Sequence, residues 1–202
     1  LSNTGVVETG SVTANAGNVL LRGESASVEA GDISATDWVL LRGSSVTAGS
    51  VSGANFVDVL AVNGSATTRD LSSSESRVSV DATGTVTVGA VNAATDALLE
   101  SKNASVTSGA ITAAGVAQVR AATNATLASI SGAGVDVSAS GGAIAIAGST
   151  VSTEELVRLS AESGVSTGSI ESATLVEVLS NTGVIETGSV TANAGNVLLR
   201  GE

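Results

Sequence analysis

A small or polar residue, an aliphatic one, a variable one and usually another small one recur along the chain as "SVTA", "DISA", "SVSG", "AVNA", "AITA", "SISG" and "SIES", often directly after Gly. A beat of this length marks a repeat architecture, in which each unit buries its apolar face only against its neighbours. With the aliphatic residue as an anchor, the series runs Val12, Ile33, Val51, Leu71, Val91, Ile111, Ile130, Val151, Ile170 and Val190. Steps vary from 18 residues, Ile33 to Val51, up to 21, Val12 to Ile33.

A longer period overlies the short one. Leu1 to Glu24 and Leu179 to Glu202 agree at 23 of 24 positions, differing only where Val7 becomes Ile185. The long repeat is therefore 178 residues (179 − 1), and nine short steps from Val12 to Val190 fill it without remainder. The expectation is one continuous unit over 1–202, with 1–178 a single long repeat and 179–202 the start of the next copy in a longer array.

Within each unit the pattern is that of strands. Five residues before the anchors stand Val7, Val28, Val46, Ala66, Val86, Val106, Ala125, Ile146, Val165 and Ile185, a second apolar column. After the anchor comes an alternating stretch with Val19 and Leu21, Val39 and Leu41, Val57 and Val59, Val78 and Val80, Val119 and Ala121, Val157 and Leu159, or Val176 and Val178 facing inward. Period-two alternation places neighbouring side chains on opposite faces of a strand. No stretch has a helical period. The fold class expected is all-β: a parallel β-helix, or β-solenoid, of about ten coils of about 20 residues, with three short strands per coil. Its hand is not readable from the pattern. Variation in step length is expected mainly at the corner between the anchor strand and the third strand. Glycines two positions before many anchors, such as Gly49 and Gly89, mark a corner that needs backbone without Cβ.

Composition fits such a tube. Trp38 and Phe56 are the only aromatic residues, so the core is built from small and β-branched side chains that pack well on pleated surfaces. There is no Pro to remove a ladder donor, no Cys for a disulfide or thiolate site, and no His for acid–base or metal chemistry. A formal charge of −11 disfavours nucleic acid and anionic membrane surfaces as partners. No run of apolar residues is long enough to span a bilayer as a helix.

The stretch "TGSVTANAGNVLLRGESASVEAGDISATDWVLLRG", residues 9–43, resembles the haemagglutinin-type repeats of filamentous bacterial exoproteins and giant surface adhesins. The resemblance extends over all the coils and implies an exported, right-handed β-helical shaft at the cell surface that holds a binding tip away from a bacterial cell. It makes the chain a structural protein, a segment of an extracellular filament or adhesin stalk. Its expected partners are further copies of itself, joined end to end covalently or by stacking.

Two surface features are candidates for more than structure. Ser45, Thr47, Ser65, Thr67, Thr85, Thr87, Ser105, Thr107, Asn124 and Thr126 fall on equivalent positions of five successive units. Two hydroxyl-rich columns on one flat face look like the Thr-x-Thr face of β-helical ice-binding proteins. This supports an alternative function as a module for ice or another repetitive surface. Trp38, Phe56, Leu156 and Leu175, with Val116 and Val135, all fall five residues after an anchor. They read either as corner packing or as a lateral seam for bundling, in which Leu20, Leu40, Leu60 and Leu98 would join. Asp32, Asp37, Asp58, Asp70, Asp81, Asp96 and Asp136 are scattered over different columns, with no spacing that pairs two carboxylates with a base. No catalytic, cofactor or metal site is expected.

Overall fold

A computed structural model of the chain describes residues 5–202. The first four residues of the duplicated segment, 1–4, lie outside the described residues. The chain winds as a stack of parallel strands in which each coil hydrogen-bonds to the one before and the one after, and no helix occurs among the described residues. Coil 5 shows the unit: strands Val86–Val88, Val91–Ala93 and Ala97–Ser101, separated by two short corners. In coils 6 and 7 the first two strands run on as one, Val106–Ala113 and Ala125–Gly132. First and second strands stack into one 18-stranded sheet and third strands into a 10-stranded sheet, closing the tube.

Alternation turns seven positions of each interior coil inward, two from each of the first two strands and three from the third, with Gly43, Gly53 and Gly132 at one of them in coils 2, 3 and 7. In coil 5 these are Val86, Val88, Val91, Ala93, Ala97, Leu99 and Ser101, all buried. Coil-to-coil register then superposes like on like. Val12 pairs with Ile33, Ile33 with Val51, Val51 with Leu71, Leu71 with Val91, Val91 with Ile111 and Ile111 with Ile130.

Coil 8 departs from the expected register. Ile130 pairs with Thr150 rather than Val151, and Thr150 in turn pairs with Ile170. Thr150 is fully buried while Val151 turns to the half-exposed outer side. The second column likewise passes through Ile144, paired with Ala125 and Val165, and not through Ile146. Ile146 stays inside one position further on, beside Leu127 and Thr167. Six positions separate Ile144 from Thr150, where five separate Val106 from Ile111, so coil 8 holds one extra residue at this corner, around Ala147, Gly148 and Ser149. A one-residue insertion of this kind is how a ladder keeps its pairing beyond a bulge.

Val119 and Ala121 face inward as expected, stacked on Leu99 and Ser101, and Ala117, beside Ala97, precedes them as a third inward residue. One further expectation is corrected. Step length also varies at two corners, not mainly one. Ile130 to Val135 is five positions and Val12 to Val19 seven, but Val39 to Val46 is seven and Val19 to Val28 nine. Both corners lie outside the ladders, where loops accept added residues, although Ala26 in the wide corner after Val19 is itself buried. The first corner keeps its five-residue step in every coil except coil 8.

Candidate functional site

The outward side of the first strand carries Thr47, Thr67, Thr87, Thr107 and Thr126, paired in register on five successive coils. All five are exposed. β-Branching restricts χ1, so a stacked column presents threonine side chains at a repeat of about 4.8 Å. Glu29 bounds the column on one side and Ala145 on the other.

The companion column does not match it. Ser45, Ser65, Thr85, Ser105 and Asn124 stand two positions earlier, and all but Asn124 are half-buried. Ser65 Oγ accepts the Thr85 N–H at 3.2 Å, Ser105 Oγ meets Thr123 Oγ1 at 2.8 Å, and Asn124 Oδ1 accepts the Ala143 N–H at 2.9 Å. These groups tie one coil to the next. The face therefore offers one column of outward hydroxyls where the residue pattern suggested two.

The Asn124 bond belongs to a recurring device. Asp32 Oδ1 accepts the Ser50 N–H, Asp70 Oδ1 the Ala90 N–H and Asp96 Oδ1 the Val116 N–H, each at 2.8 Å. Each carboxylate fills a donor on the coil above that a corner would otherwise leave without a strand partner. The glycine before each donor residue gives the acceptor room. A Cβ on Gly49 would collide with Asp32 Oδ1, and one on Gly89 would fall 2.5 Å from Asp70 Oδ1. Neither glycine needs a positive φ; both are there for close approach.

The remaining aspartates also bond between coils. Asp37 accepts from Asn55 Nδ2, Asp58 from Arg77 Nη2 at 3.0 Å, Asp81 from Lys102 Nζ at 2.7 Å and Asp136 from Gln118 Nε2 at 2.9 Å. The hydrogen bond that Arg77 donates to Asp58, and then the Asp58 charge, raise the Arg77 pKa above the ordinary value, and the bond Lys102 donates to Asp81 raises that of Lys102. Glu177 does the same for Arg158, from which it accepts a 2.8 Å bond. Among the described residues no three Asp or Glu side chains gather where a metal ion would be held.

The apolar seam resolves into two separated pairs. Trp38 and Phe56 stack with ring centroids 5.6 Å apart and an interplanar angle of 1°. Arg77 covers the Phe56 ring at 5.7 Å, and the Trp38 backbone N–H reaches Asn18 Oδ1 at 3.4 Å. The two rings thus bind one another between neighbouring coils, and Phe56 also meets the coil after it. Leu156 and Leu175 occupy the same corner, half-buried, on coils 8 and 9. Between the pairs stand Arg77, Asp96, Val116 and Gly134, the last paired with Val116 where the spacing suggested Val135. Val135 is a core residue, 1% exposed. Leu20 and Leu40 adjoin, but Leu60 lies between Arg42 and Asp81 and Leu98 between Ser79 and Gln118. Arg77, Asp96, Leu98, Val116 and Gln118 line a shallow depression of about 470 Å³ on this side.

Fold and surface together define a parallel β-solenoid, many of whose polar side chains join its own coils. No protein-family model, no curated protein and no solved structure matches the chain.

Proposed function

We propose that the chain is a structural segment of a long extracellular filament or adhesin stalk, a β-solenoid built from tandem or stacked copies of the 178-residue period. The observation that carries this reading is periodicity at both scales. Coil 10, with strands Ile185–Thr187, Val190–Ala192 and Val197–Gly201, repeats the sequence of coil 1 and seats on coil 9 through the same three ladders that join coil 1 to coil 2. A stack whose tenth coil is its first coil again can be continued without a mismatch. Its core is continuous along the axis, and its acids and hydroxyls serve as ties between coils, which favours length and stiffness over a binding cleft.

Strand edges and apolar side chains without a neighbour pair readily with another copy. The 202-residue chain is expected to form unbranched filaments in solution, seen by electron microscopy and light scattering. Clean monomers that persist at high concentration would overturn the reading.

The threonine column supports a second reading, a module that binds ice or another regularly spaced surface. Thr87→Lys, at the centre of the column, would then abolish ice shaping. An unmodified chain without thermal hysteresis removes this reading and leaves the first untouched.

A further inference from the structure

Coil 8 combines two features found together nowhere else among the described residues. Its first corner holds an extra residue. Its anchor is a threonine, seated between Ile130 and Ile170 in a column otherwise made of valine, leucine and isoleucine. The last corner cap, Asn124 Oδ1 on the Ala143 N–H, lies at the entry to this coil, and none follows it among the described residues.

Polar groups concentrate in the same place. Coils 8 and 9 bury Thr150, Ser152, Thr167, Ser172 and Ser180, whereas coils 2 to 7 bury only Thr68, Ser73, Ser101 and Ser108. The serines of coils 8 and 9 are bonded to corner groups: Ser152 Oγ donates to Ala133 O at 2.6 Å, Ser172 Oγ to Glu155 O at 2.9 Å, and Ser180 Oγ accepts the Gly183 N–H at 3.1 Å. Thr150 and Thr167 have only each other, at 3.3 Å. A buried hydroxyl with one long bond contributes less than the methyl it replaces.

We propose that coil 8 is the yield point of the tube, the place where heat or tension first separates a block of regular coils from the coils that follow. Solenoid stability is the sum of coil and interface contributions, so a weak interface opens locally while its neighbours stay closed. In a filament built as proposed above, one yield point would recur in every period; that consequence rests on the filament reading, whereas the yield point itself is a property of the single chain.

Native-state hydrogen exchange of the whole chain, followed by mass spectrometry, tests it. Exchange is expected to accelerate in a step between coil 7, residues 125–139, and coil 8, residues 144–161, by about tenfold or more. Thr150→Val combined with Thr167→Val removes both hydroxyls at constant shape, and should slow exchange over residues 144–180 by about tenfold without change in coils 5 to 7. Ile111→Thr should create a second step at coil 6. A smooth gradient of exchange running inward from coil 10, with no step at coil 8, would overturn the proposal. So would a double valine variant whose profile superimposes on the parent's. Should that variant fail to fold, the parent profile and Ile111→Thr decide the matter.

Discussion

Coils 6 and 7 carry their first two strands as unbroken stretches, Val106–Ala113 and Ala125–Gly132, whereas coil 8 divides the same path into Ile144–Ile146 and Thr150–Ser152. The difference shows how a tube of this kind chooses its register. At unchanged spacing, Ile146 would stack on Ala125 and Val151 on Ile130, leaving Ile144 outside. The observed register adds one residue to the corner and buries Ile144, Ile146 and Thr150 instead. Full burial of an isoleucine is worth about 1.5–3 kcal/mol. The exchange of Val151 for Thr150 in the column costs a hydroxyl, but Thr167 offers it a partner at 3.3 Å. The extra isoleucine wins, and an inserted corner residue is the means.

The contrast between regular and bulged coils can be broken or sharpened by experiment. The largest effect is expected in the regular body, where Ile111 lies between Val91 and Ile130 with no turn nearby to relax. Ile111→Ala should lower the unfolding free energy by roughly 2–5 kcal/mol in urea titrations, and a loss under about 1 kcal/mol would mean that the regular core yields as readily as coil 8.

Gly49→Ala comes next, because the new Cβ must displace the Asp32 carboxylate or push the two coils apart. Overpacking of this kind costs about 1–3 kcal/mol. Adding Asp32→Ala should recover part of that loss, a coupling that a double-mutant cycle measures directly. Asp70→Ala in the same device removes only a cap on the Ala90 N–H. Its expected cost is about 0.5–2 kcal/mol, as for other side-chain caps of backbone donors, and a neutral outcome would deny the corner aspartates any structural part.

The smallest effect belongs to Lys102. Its pKa is raised by the hydrogen bond to Asp81, so whatever the pair contributes is complete at pH values below the ordinary lysine range. That contribution is lost only as pH climbs through the raised value, above about 10.4. Parent and Lys102→Met should therefore differ slightly and by a constant amount between pH 7 and pH 9, in melting temperature, and converge in strong alkali. A difference that grew with rising pH across that alkaline range would contradict the sign of the shift.

Much of the tube was legible beforehand because strand alternation and the coil period are both local or fixed-step properties. Val12, Ile33, Val51 and Leu71 follow one another at near-constant intervals, and the structure stacks them. The threonine column was legible for the same reason. What its second column does was not, since Ser65, Ser105 and Asn124 find their partners about a coil away, in groups that a reading along the chain does not set beside them. The aspartates showed the same limit. In sequence they look scattered, and in space each faces a donor on an adjacent coil.

The residue order thus determined the period, the inward columns and the kind of fold, because burying β-branched side chains on alternate faces leaves a chain of this rhythm few other arrangements. Only the folded tube decided which of Thr150 and Val151 enters the core, where the corners widen, and which hydroxyls remain free. Those outcomes depend on what the neighbouring coil presents, and that neighbour is close in space but about twenty residues away in sequence.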